Sequence, residues 1–250
     1  MERSCERALA LGLAAVAFTD HVDRTAIATR DFDPHGYQEE LQRCRRRFPR
    51  LRILSGVELG EPHRFPGETA GLLAAGQFDW VLGAIHCVSV EGRLEDLSEP
   101  GGKLGLQPQA TVRDYLDEVL ALLGSPAPIT SLAHLEYPKR YWPPEWPPYR
   151  SQDYRDRILA VLEAAARRGL TLEINTTTGA AGEAGLCPAP EVVRWWREAG
   201  GRSVCLGSDA HRPDQVGGGL ALAQEVALAA GFTAPGSVLG ILRPAPAGPS

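Results

Sequence analysis

The chain has 250 residues, a net charge of −5, 44% hydrophobic residues and 23% charged residues. This suits one large α/β domain with a substantial core, and it excludes a disordered or fibrous polymer. The acidic balance argues against a nucleic-acid-binding face, and no apolar run approaches the roughly 18 residues that a membrane span needs.

Residues 3–11 read as a short helix stopped by Gly12, and the first visible strand follows at once. Asp33 and Pro34 form an N-cap and first-turn pair for a helix to Phe48, with Tyr37, Leu41, Cys44 and Phe48 at helical spacing on one face. A short helix is expected over residues 68–75, a Gly-rich loop over 99–105, and helices over 112–123, 154–168, 190–199 and 220–230. Residues 136–151 form a long loop dense in proline and aromatics, which reads as a semi-rigid lid, as packed surface or as a homodimer contact. A single domain is expected over residues 1–243, with a disordered tail at 244–250.

Cys5, Cys44, Cys87, Cys187 and Cys205 are scattered and form no C-x-x-C pair, as expected of reduced thiols in a cytoplasmic protein. Residues 9–18 imitate a signal peptide, but Glu2, Arg3, Glu6 and Arg7 before them sum to zero charge where a secretory leader is positive.

Six apolar runs close on residues able to ligate a divalent metal: on His21, Glu58, His86, His134 and Asn175, and on the Asp209–His211 segment. Helix-length stretches separate them, so they read as parallel strands whose carboxyl ends carry the active site. Four of the six histidines fall there, which is a metal-site pattern. Imidazoles mixed with carboxylates suit Zn, Mn or Fe rather than Ca or Mg, and Glu58 among histidines can bridge two ions. His35 and His63, beside Pro34 and Pro62, read as surface residues, although His63 and Arg64 follow the Glu58 strand end and can also line the mouth. Glu173 lies within a strand, pointing either inward as a supporting contact or toward a basic partner.

The segments Thr19-Asp20-His21, Gly56-Val57-Glu58-Leu59-Gly60, Ala84-Ile85-His86, Ala133-His134, Glu173-Ile174-Asn175-Thr176 and Gly207-Ser208-Asp209-Ala210-His211 resemble, in this order, the PHP (polymerase and histidinol phosphatase) superfamily. Leu135-Glu136-Tyr137-Pro138-Lys139-Arg140-Tyr141 resembles its histidinol-phosphatase branch, and the likeness covers about residues 1–235. The resemblance implies a distorted (β/α)7 TIM-like barrel with two or three divalent ions (Zn, Mn or Fe). It implies that Glu58 bridges ions, that His86 and His134 hold one and His21 and His211 another, and that Asp209 ligates the cluster and assists proton transfer. The implied reaction is hydrolysis of a small phosphorylated substrate, L-histidinol phosphate to L-histidinol in histidine biosynthesis. Lys139, Arg140, Arg212 and Asn175, near the ligand-bearing strand ends, are the substrate-binding candidates.

Other readings are a different small phosphate or a nucleotide, a nucleic-acid 3′ end (which the acidic charge disfavours), and a non-catalytic remnant. The remnant arises from one departure. Superfamily members open with a strand carrying His-x-His, whereas no histidine precedes His21 here. The barrel is therefore expected to lack its first strand and one ion two of its ligands, with the missing segment expected upstream of Met1.

Overall fold

The computed structural model describes residues 1–24, 32–99, 107–177, 179–234, 236 and 238–239. The expected loop at 99–105 lies almost wholly outside these residues, as does the whole of the 244–250 tail.

Seven parallel strands form one sheet, in the order β1 (Ala15–Val22), β2 (Arg52–Gly60), β3 (Trp80–Ala84), β6 (Ser131–Leu132), β7 (Thr171–Asn175), β8 (Val204–Gly207) and β9 (Val238–Leu239). Parallel pairing requires crossovers, and helices supply them: α2 (Pro34–Arg47), α3 (Pro66–Ala75), α4 (Pro108–Gly124), α6 (Arg155–Arg167), α7 (Pro190–Glu198) and α8 (Leu220–Ala229). The interior strands read as near-continuous apolar runs because both faces are covered, and β7 is buried at all five positions. The main core fills the helix–sheet layer, with Val57, Leu116, Ile158, Leu172, Val192 and Trp196 at its centre. Leu82, Ala84 and Ala133 make a small second core with Trp80.

The first helix, α1 (Glu2–Ala10), ends as its sequence dictates, with Gly12 at φ 71°. Its Cys5 and Ala8 pack with Tyr37, Leu41 and Cys44 of α2 and with Val216 and Leu220 beyond β8. The same cluster thus touches the beginning and the end of the sheet, whose edges among the described residues are β1 and β9. The sheet curls, and the carboxyl ends of β1 and β8 meet: the rings of His21 and His211 stack with centroids 5.3 Å apart.

Two elements differ from expectation. His86 leads into a hairpin, β4 (Cys87–Val90) and β5 (Arg93–Asp96), whose two-residue turn has Glu91 at φ 50° and Gly92 at φ 79°. Positive φ at both central residues is the hairpin geometry that matches strand twist, but Glu-Gly carries that signal less clearly than Asn-Gly. The short helix α5 (Tyr137–Arg140) lies within the aromatic loop.

His63 is half-buried rather than freely exposed. Its side chain is 9% exposed, and its Nε2 donates to Glu118 Oε1 at 2.6 Å, while Arg64 Nη2 donates to Glu118 Oε2 at 2.6 Å. Proline beside a histidine says nothing about a carboxylate arriving from α4, which is what buries it. Burial alone would raise the Glu118 pKa, but hydrogen bonds from His63 and Arg64 outweigh it and lower it from 4.5 to about 2. A depressed carboxylate stabilises the fold fully above pH 4.5 and loses that contribution as pH falls toward about 2. Glu118→Gln is expected to lower the melting temperature at pH 7, by an amount that shrinks progressively below pH 4.5. Calorimetry across that range measures it, and a pH-independent difference would contradict the assignment.

Candidate metal centre

His86 and His134 lie two residues beyond the last paired residues of their strands, Ala84 and Leu132. Glu58 is still in β2, opposite His21 in the β1 ladder. Their polar atoms converge: His86 Nε2 is 3.2 Å and His134 Nε2 3.0 Å from Glu58 Oε1, and the two Nε2 atoms are 3.3 Å apart. All three residues are buried. A tetrahedral ion with bonds of about 2.0–2.1 Å spaces its ligands about 3.3 Å apart, so this trio has the spacing that such an ion requires.

The hydrogen bond on the far side of the His86 ring agrees with ligation. Asp23 Oδ1 accepts from His86 Nδ1 at 3.0 Å, which leaves a lone pair on Nε2. A Cβ on Gly60 would overlap Asp23 Oδ1, so only glycine there admits this pair. Tyr137 packs against both rings, its centroid 4.9 Å from that of His86 and 4.9 Å from that of His134. Burial lowers the His134 pKa below 6.5, and hydrogen bonds from His134 and His86 outweigh burial to hold Glu58 well below 4.5. Burial, followed by repulsion from Glu58 and Asp209, pushes Glu173 up to about 8. Carboxylates crowded in a buried mouth are the electrostatic setting that a divalent cation relieves.

Two further groups extend the site: His21 with Asp23 and His86, and His21 with Asp209 and His211. Within each of the three groups the ligand atoms lie within 4.8 Å of one another. His21 Nδ1 is 3.7 Å from Glu58 Oε1, so Glu58 faces both the buried trio and the exposed flank. Asp209 sits past β8 at φ 48°. Its Oδ2 accepts from Thr177 Oγ1 (2.6 Å), Arg140 Nη1 (3.1 Å) and Asn175 Nδ2 (3.3 Å). Its Oδ1 faces His211 Nδ1 at 3.7 Å.

The substrate-binding candidates divide. Arg140 and Asn175 join Asp209, with Arg140 Nη2 donating to Asn175 Oδ1 at 2.7 Å. Lys139 turns elsewhere, donating to the Leu186 carbonyl and lying 3.6 Å from Glu136 Oε2. Arg212 is exposed and paired with Asp214 at 3.4 Å. Asp23, Thr177 and Glu61 escaped the sequence reading, which named Tyr137 only within the 135–141 segment. Asp23 alone carried a signal, as a carboxylate two residues past a strand-end histidine.

The PHP domain model matches residues 1–177. The chain belongs to the PHP domain family. It is 31% identical over 225 residues to a probable histidinol-phosphatase of Deinococcus radiodurans, covering 85% of this chain and 80% of that protein. It is 29% identical over 206 residues to a probable histidinol-phosphatase of Clostridium acetobutylicum, covering 81% and 76%. The crystal structure of histidinol phosphate phosphatase from Lactococcus lactis, complexed with Zn, L-histidinol and phosphate, superposes with a TM-score of 0.84 at 22% identity, over 95% of this chain and 88% of that one. The PHP barrel architecture expected from the resemblance is thus the fold observed, an α/β fold built on a curled parallel sheet.

Asp23→Ala removes the acceptor that orients His86. Zinc affinity, measured by competition with a chelating dye, is expected to fall about 10–100-fold with the fold intact. An unchanged affinity would show that Asp23 does not support the site.

Proposed function

We propose that this chain is a metal-dependent phosphomonoester hydrolase that converts L-histidinol phosphate to L-histidinol and phosphate in histidine biosynthesis. The observation that carries the reading is the buried convergence of Glu58, His86 and His134, continued by His21, Asp209 and His211, in a chain whose relatives are named histidinol-phosphatases. In this reading Glu58, His86 and His134 hold one ion and His21, Asp209 and His211 a second, with Glu58 reaching both. Zinc, manganese or iron suits these donors. Bound there, such ions supply Lewis acidity that activates water and neutralises phosphate oxygens.

The protein's own groups have distinct tasks. With Asp209 Oδ2 saturated by three donors, Oδ1 is left to ligate or to carry a proton. Arg140, anchored on Asp209 and Asn175, places a permanent positive charge beside the site, which favours a doubly negative ester. His211 and His21, 61% and 39% exposed at their side chains, form the open flank through which a small substrate enters. None of the five cysteines forms a disulfide, and no described helix is long and apolar enough to cross a membrane; both agree with a cytoplasmic setting.

Phosphate release from L-histidinol phosphate, compared with a panel of nucleoside monophosphates, tests the substrate. The expected result is a clear preference for L-histidinol phosphate, and equal rates across the panel would overturn the assignment. His134→Ala is expected to lower kcat/KM by about 100-fold or more while circular dichroism stays unchanged. Zinc binding without phosphate release from any ester would favour a non-catalytic role.

A further inference from the structure

The backbone around the two buried histidines is held in an unusual way. Just before the second histidine, Ala133 N–H still donates to a carbonyl of the neighbouring strand, that of Gly83 at 3.0 Å. At the next residue the acceptor changes: His134 N–H donates to the side chain of Glu173, with Oε2 at 2.8 Å. On the adjacent strand His86 N–H donates to Glu61 Oε1 at 2.6 Å, and Cys87 N–H reaches the same oxygen at 3.0 Å.

The two arrangements mirror each other across the sheet. The order β2-β3-β6-β7 puts the histidine-bearing strands in the middle, and the flanking strands deliver one carboxylate each. Glu61 follows β2 directly and is tied to the strand it serves, its own N–H donating to the Ala84 carbonyl at 3.0 Å. Both glutamates are buried, and neither belongs to a candidate ligand group. Positive φ angles mark both clamps, 20° at His134 and 45° at Glu61. Residues outside helix and strand geometry keep such angles only where the surroundings over-determine them. A carboxyl oxygen accepts a peptide N–H whether the group is ionised or protonated, so each bond holds its amide in either state.

We propose that Glu61 and Glu173 are a matched pair of positioning residues. They fix the backbone of His86 and His134 where each leaves the sheet, so that both Nε2 atoms aim at Glu58, and they thereby set the affinity of that trio for a divalent cation. The proposal rests on the metal reading given above. It adds that affinity is governed through two backbone amides, as well as through the ligands.

Cobalt(II), which reports its coordination by its visible spectrum, is titrated into the metal-free full chain. Glu61→Ala and Glu173→Ala are expected to weaken binding about 10–100-fold, the range found for groups that orient ligands. Their kcat at saturating metal should stay within a few-fold of wild type. Glu61→Gln and Glu173→Gln, which keep an oxygen for the amide, should recover most of the affinity. Where an alanine variant fails to fold, Glu61→Asp or Glu173→Asp replaces it; these keep the carboxyl group but withdraw the oxygen by one methylene, and the same loss is expected. Folded variants with the wild-type cobalt affinity and spectrum would overturn the proposal. So would a loss confined to kcat at saturating metal. Failure of the wild-type chain to bind cobalt or zinc would instead overturn the metal reading itself, so the two failures are distinct.

Discussion

Three electron-pair donors, Glu58 Oε1, His86 Nε2 and His134 Nε2, lie within 3.0–3.3 Å of one another in the buried mouth of the sheet. In their unprotonated forms these atoms repel, and burial deprives them of water. A positive charge among them turns that conflict into binding. Burial lowers the His86 pKa, but Asp23 and Glu58 outweigh it and raise it well above 6.5, which shows how strongly these surroundings favour positive charge. A divalent cation fits the same place with the spacing already set.

Much of the surrounding structure holds this convergence in place. Parallel strands bring all the carboxyl ends to one side, and the curl that stacks His21 on His211 draws the two ends of the row together. Asp23 selects the tautomer of His86, Tyr137 packs on both rings, and Glu61 and Glu173 grip the amides. On the exposed flank, Arg140, Asn175 and Thr177 do for Asp209 what these groups do for the histidines. The site grades from a buried ligand trio to an open side where a substrate can arrive.

The strand-end residues were legible in the sequence because a buried parallel strand is a short apolar run, and a polar residue closing it is conspicuous. The helices were legible for similar local reasons, such as Asp33 capping α2, where its Oδ1 accepts from His35 N–H at 3.1 Å. The supporting layer was not, because its members act across long sequence separations. Glu61 reaches His86 and Glu173 reaches His134 from other strands, and nothing adjacent in the sequence marks an acceptor for a remote amide. Glu173 was read as inward-pointing or paired with a base, and its partner proves to be a peptide N–H. The partner of His63 was not legible because Glu118 arrives from a helix 55 residues away. Strand β9 has two residues, too few to show a period.

The central claim is that the Glu58–His86–His134 trio is built around one divalent cation. Anomalous diffraction at the zinc edge, on crystals of the full chain grown with zinc, tests it most directly. The account predicts a peak within bonding distance of His86 Nε2, His134 Nε2 and a Glu58 carboxylate oxygen. A structure at saturating zinc with no peak there, and with those three atoms still in mutual contact, would contradict it.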